Sequence, residues 1–499
     1  MLQKIPTPVL HTLKALHAAG FEAYIVGGCV RDLLLNRTPK DWDITTNALP
    51  ERIVEIFPDS FYENTFGTVG VKVPSFETAL SIPETTAIIE VTTYRTESDY
   101  LDKRRPSIVT FASSLSDDLA RRDFTMNALA YGPDASGAWV LVDPFQGQDD
   151  VSHKIIRTVG DPTERFTEDA LRLMRAVRFL SELTHGQEKK ESSNWHIEEK
   201  TYAALSTLVA NLAHISKERI RDELTRILLS PNPALGVETL QKTGLLHFIL
   251  PELELGVGVT QNLHHIYTVW EHNLRALATC PSPKLSVRLA ALLHDVGKPQ
   301  TKRGEGYRAT FYNHDHVGAA ITEKALTRLR FSKDVIKHAT LLVDNHLFYY
   351  NVDEVTEASV RRLIKRVGLE NMADLMAVRI GDRLGSGVPK GKTYKLRHLE
   401  YMIEKVSRDP LSVKMLALTG TDLMTALSLP PSPKIGMLLD ILLGEVIENP
   451  KQNTRENLLA RAAALQKNDL ATLRRIAQER IDATKKEEDA AIKKRHWVE

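Results

Sequence analysis

Residues 25–48, IVGGCVRDLLLNRTPKDWDITTNA, constrain this chain more than any other stretch. An apolar β-branched run ends in paired glycines, Gly27 and Gly28, and passes directly into the helix-forming VRDLLLN. A strand, turn and helix in that order gathers free backbone N–H groups and the positive end of a helix dipole at one spot, which favours an anionic phosphate. Glycine there lets the backbone approach closely. Asp41 and Asp43 follow on a second strand, and because side-chain direction repeats every second residue, both carboxylates point to one face. Adjacent carboxylates repel unless cations sit between them. The pair suits Mg²⁺, a hard ion that takes oxygen ligands from one or two carboxylates and from phosphates. By itself Asp-x-Asp is more often a strand-end turn or a helix cap; joined to Gly-Gly-x-x-Arg-Asp upstream, it reads as a two-metal site for in-line displacement at phosphorus.

A chain of 499 residues exceeds what one hydrophobic core organises, so two or more domains in series are expected. Hydrophobic residues at 42% and charged residues at 26% are ordinary for a globular protein, and no apolar run approaches the roughly 20 residues that span a bilayer. The N-terminal segment MLQKIPTPVLHTLKALHAAG is amphipathic and does not read as a signal peptide, which points to the cytoplasm. Cys29 and Cys280 are the two cysteines, too few for a disulfide framework or a cysteine-built zinc site, and read as passive thiols. The net charge of +1 hides clusters of basic residues at Asp102-Lys103-Arg104-Arg105, from Glu164 to Arg178, around Lys390 to Arg397, and at the C-terminus. Each is either a solvated helical face or a phosphate-binding surface.

Up to about Asp161 the chain alternates β-rich and helical runs. AYIVGG, DWDITT, GTVGVKV and TAIIEVTTY read as strands; VRDLLLN, PERIVEIF and LARRDFTMNALAY read as helices. From Pro162 the apolar spacing is helical and the remainder is expected to be all-α. The final IDATKKEEDAAIKKRHWVE reads as a surface helix or a partly disordered tail.

With these residues in view, the segment 25–48 resembles the catalytic signature of the DNA polymerase β nucleotidyltransferase superfamily. Within it, the class II branch that holds CCA-adding enzymes and bacterial poly(A) polymerases is the most similar. The resemblance implies nucleotidyl transfer, with Asp41 and Asp43 binding catalytic Mg²⁺ and Gly27, Gly28, Arg31 and Asp32 organising the triphosphate pocket. Glu90, in IIEVTTYR, is a candidate third carboxylate on the same metals, although an acidic residue in a strand also has ordinary uses. Arg122, Asp123 and Asn127 correspond to residues around the ribose and triphosphate; surface ion pairing is the alternative.

In ERFTEDALRLMRAVRF, Asp169 and Arg172 are three apart and are expected side by side on one helix face. Such a pair is ordinarily a helix salt bridge. The resemblance implies that it reads the incoming base without a template: a carboxylate accepts from the exocyclic amine of cytosine or adenine, and a guanidinium donates to the adjacent ring nitrogen. Uracil and guanine would set a carbonyl against Asp169, and sites that demand a hydrogen bond reject such partners by roughly 10⁴-fold. Arg175 and Arg178 lie further along and are candidates for phosphate contact. Residues 95–119 read as a mobile surface loop. They resemble the flexible loop that CCA-adding enzymes use when switching from C to A and that CC-adding relatives lack, which favours full CCA or A addition, and they are more similar to CCA-adding sequences than to the poly(A) polymerase pattern.

SKERIRDELTRILLSPNPALGVETLQKTGLLHFILPEL resembles the neck and body helices of that branch, and the segments 418–443 and 449–462 its RNA-clasping tail. The usual glycine-rich turn there is replaced by Leu-Pro-Pro-Ser-Pro-Lys, with Lys434 as an electrostatic substitute for a phosphate contact. A different chemistry sits between. His272, adjacent His294 and Asp295 in LLHDVGKP, and Asp382 in RIGDRLG supply mixed nitrogen and oxygen ligands for a divalent metal. These four match the ligand set of the HD phosphohydrolase superfamily, which this region resembles; His314 and His346 would extend it to a second metal or to a phosphate.

The expected fold is α+β: a polymerase β-like nucleotidyltransferase head (1–161), a helical neck and body (162–255), an HD-like domain (256–400) and a helical RNA-binding tail (401–499). The expected function is template-independent addition of C, C and A to the tRNA 3′ end from CTP and ATP, with no membrane or protein partner implied. An A-adding tRNA nucleotidyltransferase or a bacterial poly(A) polymerase is the alternative. A hydrolase whose head serves only to bind RNA is the rival of another class.

Overall fold

A computed structural model describes the chain except for residues 63–66, 75–85, 99–107, 113, 135, 185–193, 262–265, 349, 352–353, 389–390, 408–411 and 476–499. It divides into two compact units, Met1–Glu254 with Arg328–Phe331, and Leu255–Thr327 with Ser332–Glu499. Among the described residues no helix is long and apolar enough to cross a membrane.

The first unit is built on a seven-stranded mixed sheet. Its strands are β1 (Ala23–Val26), β2 (Asp43–Thr46), β3 (Ser60–Tyr62), β4 (Thr68–Pro74), β5 (Thr86–Thr93), β8 (Ala130–Pro133) and β9 (Trp139–Val142), in the order β3-β4-β5-β2-β1-β8-β9. β2 and β5 run parallel, with Asp43 opposite Glu90; the remaining neighbours in the sheet are antiparallel. Two further strands, β6 (Arg95–Ser98) and β7 (Ile108–Phe111), pair antiparallel as a separate ribbon. Alternation sorts the side chains. Ile25, Ile44, Val69, Val71, Ile89 and Val91 are buried on one face, against helices α1 (Thr7–Ala18) and α3 (Pro50–Ile56). Asp43 and Glu90 therefore belong to the other face, where Val26 and Ala130 pack with Leu119, Ala128 and Val159. Helix α2 (Gly28–Leu34) starts directly after β1, and α4 (Leu115–Ala120) follows β7.

Four elements differ from the sequence reading. β2 begins at Asp43, so Asp41 lies in the bend before the strand. The segment 119–131 is no single helix: it is the end of α4, a 3-10 turn (Thr125–Asn127) and β8. A local and a tertiary bond override its helical pattern: Asp123 accepts from the Phe124 N–H (2.9 Å), and the Thr125 N–H donates to the distant Arg157 carbonyl (2.9 Å). The described flanks of the expected loop 95–119 are the β6–β7 ribbon and α4; the middle, with Asp102 to Arg105, lies outside the described residues. Among the described residues after Pro162 the helical run is interrupted by β11 (His196–Ile197), which pairs parallel with β10 (Ile155–Ile156), and by an isolated bridge between Arg303 and Thr310. The C-terminal basic segment also lies outside the described residues.

Helix α5 (Gly147–His153) precedes β10. Asp161 then starts α6 (Pro162–Glu168) as its cap, accepting from the Thr163 and Glu164 N–H groups, with proline at the first helical position. A short break separates α6 from α7 (Leu171–Leu183), whose Phe179 ring meets Phe124 edge-on at 5.6 Å. Helices α8 (Glu199–Thr207) and α9 (Lys217–Leu229) follow, α9 packing on α7.

In the second unit, helices Val269–Thr279, Leu285–Leu293, Lys333–Asp344 and Met372–Gly385 pack together. Gly381 and Gly385 bring the first and last of these into contact: a Cβ on Gly381 would stand 2.7 Å from the Ala276 carbonyl oxygen. That approach sets Asp382 beside His272. Further along, Pro433–Glu448 anchors a separate apolar cluster through Leu438, Leu442 and Val446. Lys434, at its start, donates to the Gln466 carbonyl (2.6 Å) rather than standing free for a phosphate.

Candidate active site and a second metal-binding cluster

At the end of β1, Gly27 adopts φ +82°, a conformation that favours glycine, and turns the chain into α2. A Cβ there would lie 3.1 Å from Arg122 Nη1 and 3.8 Å from Asp43 Oδ2, so the glycine, the guanidinium and the carboxylate share one corner. Trp42 is buried between exposed Asp41 and half-buried Asp43. Burial pushes the Asp43 carboxyl up from its ordinary range; Arg122 pulls it down, and the charge of Asp41 pushes it up again. Asp41 and Asp43 are thus close enough to repel. With Glu90 in register on β5, the corner offers the all-oxygen donor set that a hard divalent cation takes. Cys29, beneath it, bonds to the Val26 carbonyl at 3.2 Å, and burial, then Asp43, push its thiol up to about 12. It stays a neutral thiol.

Five of the other predicted nucleotide-binding residues, Arg31, Asp32, Asn127, Asp123 and Arg175, form one hydrogen-bonded chain. Arg31 donates to Asp32 (2.8 Å) and to Asn127 Oδ1 (2.8 Å); Asn127 donates to Asp123 (3.3 Å); and Arg175 donates to Asp123 through Nε (2.7 Å). Burial alone would raise the Asp123 carboxyl, yet the Arg175 and Arg172 charges and these bonds hold it at about 2. Arg31, Arg175 and Arg178 all face the Phe179 ring, at 5.4, 5.5 and 4.4 Å from its centre. Arg178 is committed to buried Glu223 (3.2 Å), which removes it as a free phosphate contact.

Asp169 and Arg172 do not lie on one helix face. Asp169 is extended (φ −137°, ψ 104°) in the break between α6 and α7, where its carboxylate accepts from the Leu171 N–H (3.0 Å). It pairs with Arg219 of α9 at 2.7 Å. Arg172 instead bonds Glu168 (2.6 Å) and the carbonyls of Arg165 (3.2 Å) and Arg121 (3.1 Å).

In the second unit six buried groups converge as two triads, His272 with His294 and Asp382, and Asp295 with His314 and His346. His272 Nε2 is 3.0 Å from His294 Nε2 and 3.2 Å from Asp382 Oδ1; Asp295 Oδ1 is 3.2 Å from His314 Nε2 and 3.7 Å from His346 Nε2. His294, His314 and His346 each point Nδ1 at the carbonyl three residues earlier, at 2.9, 2.7 and 2.7 Å. A ring that donates from Nδ1 to a carbonyl keeps Nε2 as a bare lone pair, which is the ligand form of imidazole. Burial opposes charge on Asp382, but Arg379 at 2.6 Å and the histidines hold its carboxyl well below the usual range. The donor set fits a divalent metal. Asp295, expected with the first three ligands, serves both groups: its Oδ2 lies 3.4 Å from the Nε2 atoms of His272 and His294, while its Oδ1 faces His314 and His346.

Three family models match in chain order. The Poly A polymerase head domain covers residues 23–157, the probable RNA and SrmB-binding site of polymerase A covers 194–255, and the putative tRNA nucleotidyltransferase domain 2 covers 302–462. The CCA-adding enzyme of Geobacillus stearothermophilus is 32% identical over 456 residues, 90% of this chain and 95% of that relative. The chain belongs to the CCA-adding enzyme family. Another family member, from Geobacillus sp. (strain WCH70), is 43% identical over 240 residues, 48% of this chain; that match spans about half the relative's length, 54%. The crystal structure of the Bacillus stearothermophilus CCA-adding enzyme in complex with CTP is similar at a TM-score of 0.65 and 28% identity, covering 92% of this chain and 97% of that one. The α+β fold is that of the family, and membership in a nucleotidyltransferase superfamily implies divalent metal use.

Within this family frame, several residues at both sites escaped the sequence reading. Fully buried Asp118 holds Arg121 (2.6 Å), Arg122 (3.2 Å) and the Thr45 hydroxyl (3.1 Å). It sits in SDDL, which reads as loop. Glu168 and Arg219 complete the surroundings of Arg172 and Asp169, and buried Lys298 bonds Asp295 (2.6 Å) and Gln261 (2.6 Å). The Lys298 position, three after Asp295 in HDVGK, was a signal in plain sight.

Proposed function

We propose that this chain adds C, C and A to the 3′ end of tRNA from CTP and ATP, without a nucleic-acid template. The observation that carries the reading is the corner where Gly27, Arg122, Asp43 and Asp41 meet, with Glu90 in register beside it. In the reaction the terminal 3′ oxygen of the RNA bonds to the α-phosphorus of the nucleotide, while the bond from that phosphorus to the β-phosphate oxygen breaks and pyrophosphate leaves. Mg²⁺ held by Asp41 and Asp43 would supply positive charge to the attacking and leaving oxygens. The backbone at Gly27 and Gly28, with Arg31 and Arg122, receives the triphosphate; Asp32, Asp123, Asn127 and Arg175 keep those guanidiniums in place. Asp169, kept in direction by Arg219, accepts from the base, and Arg172 donates to it after exchanging its present partners. The four-part division at residues 161, 255 and 400, and a cytoplasmic location, go with this reading. Related CCA-adding enzymes support it over A-only or poly(A) synthesis.

The buried histidine and aspartate cluster favours a second activity: a divalent metal in the HD-like site, acting on phosphate esters such as cyclic phosphates or 2′-phosphates.

The purified chain, given Mg²⁺ and tRNA trimmed of its last three nucleotides, is offered CTP and ATP singly and together. Two C followed by one A is the expected product. Addition of A alone to a CC end, or long A tracts, would overturn CCA specificity; no incorporation at all would overturn nucleotidyl transfer. Asp41→Ala is expected to abolish addition.

A further inference from the structure

The sheet face that carries Asp43 continues outward across β5, β4 and β3. Paired residues on neighbouring strands share a face, so Asp43, Glu90, Gly70 and Phe61 stand in one row. Gly70 decides how Phe61 lies: a Cβ on Gly70 would sit 2.5 Å from Phe61 Cζ and 2.9 and 3.0 Å from its two Cε atoms. Those three distances are those of a point directly above Cζ. The ring therefore lays one face over the bare strand, a posture that any side chain at position 70 would prevent. Its other side opens to solvent, with Phe61 38% exposed, and the same face carries Ile88, 50% exposed, and Lys72, whose partner Asp59 stands at 3.4 Å. From the ring over Gly70 to Asp43 is two strand spacings, roughly 10 Å.

An exposed aromatic ring lying flat on an open sheet is how sheet proteins hold unpaired nucleic-acid bases, because every base has a π-face. A strand of RNA has to bring its 3′ oxygen to Asp43, and the row to Phe61 is the ground over which the last one or two nucleotides can approach. We propose that Phe61 stacks on a base near the 3′ end of the RNA and so aims the terminal hydroxyl at Asp43, making Phe61 a substrate-positioning residue. The inference rests on the nucleotidyl-transfer reading and adds the place of the RNA strand to it. Glu90, between the ring and Asp43, lies beneath the path; a cation at the carboxylates would offset its charge against the RNA phosphates.

The test uses the full chain and its Phe61→Ala and Phe61→Tyr variants. Trimmed tRNA is extended with CTP and Mg²⁺, and binding of an RNA with 2-aminopurine at its 3′ terminal position is followed by fluorescence, which stacking quenches. Phe61→Ala is expected to raise KM for RNA about tenfold, the scale of one lost base–aromatic stack, with KM for CTP unchanged and the quenching lost. Phe61→Tyr restores both. An unchanged RNA KM with full quenching in Phe61→Ala, or no quenching by the unaltered chain, would overturn the assignment. If the unaltered chain extends no RNA, the transfer reading fails, while the quenching still reports on Phe61 separately.

Discussion

Asp169 is ion-paired with Arg219, 2.7 Å away on α9, and not with Arg172, its neighbour three residues along the chain. The two residues expected to read the base thus reach their positions differently, Asp169 from within a helix break and Arg172 from the first turn of α7, each held by its own partner. Arg219 fixes the direction of the carboxylate. Arg219→Ala is expected to leave addition running but to lower discrimination of CTP and ATP against UTP and GTP by about tenfold or more, since selection here depends on one oriented acceptor. Sequencing of product ends made with all four nucleotides checks this, and unchanged fidelity would remove Arg219 from base selection.

Gly27→Ala should damage the site through the backbone. At φ +82° a side chain costs about 1–3 kcal/mol, and here the new Cβ would press on Arg122 Nη1 at 3.1 Å. Lower thermal stability together with a raised KM for nucleotide is expected. A loss of stability with an unaltered KM would mean that Arg122 does not serve the triphosphate.

Asp123 links folding to acid. Its carboxyl titrates at about 2 in the folded chain, below the ordinary aspartate value, so the stabilisation is complete above pH ~4 and is lost as pH falls towards 2. The contribution is on the order of 2 kcal/mol. Denaturant unfolding of Asp123→Asn should therefore show its largest deficit near neutral pH, shrinking towards pH 2; a deficit independent of pH would contradict the assigned charge pairing.

For the second unit, divalent metal should bind and stabilise the fold. At free metal about 100 times the Kd, the gain is about 2.7 kcal/mol, visible as a rise in Tm. His294→Ala and Asp382→Asn should abolish that rise while leaving CCA addition intact. Equal metal-induced shifts in the variants would rule the cluster out as the binding site.

How much of this was legible depended on whether a side chain's role is local. The strand, glycine turn and helix from residue 23 to 34 were readable because the pattern and the φ > 0 requirement lie within one stretch. The segment 119–131 was not, because its helical look gives way to bonds with Arg157 and Thr158, some thirty residues on. The Asp169–Arg172 spacing misled for a similar reason: the break between α6 and α7 lets Asp169 cap the second helix from outside it. The six metal-ligand candidates were visible individually, but spacing does not encode the approach of helices at Gly381 that sets Asp382 beside His272, nor the bridging of the two groups by Asp295.

Asp118 belongs at once to the strand that presents Asp43, through Thr45, and to the guanidinium at Gly27, through Arg122. A further branch runs from its partner Arg121, whose carbonyl receives Arg172. The groups proposed to face metal, phosphate and base therefore hang from a single buried peg. An evolving sequence cannot retune one of these three without disturbing the seating of the others, so changes in nucleotide preference are easier to acquire at the rim, where Arg219 and Glu168 stand, than at this centre.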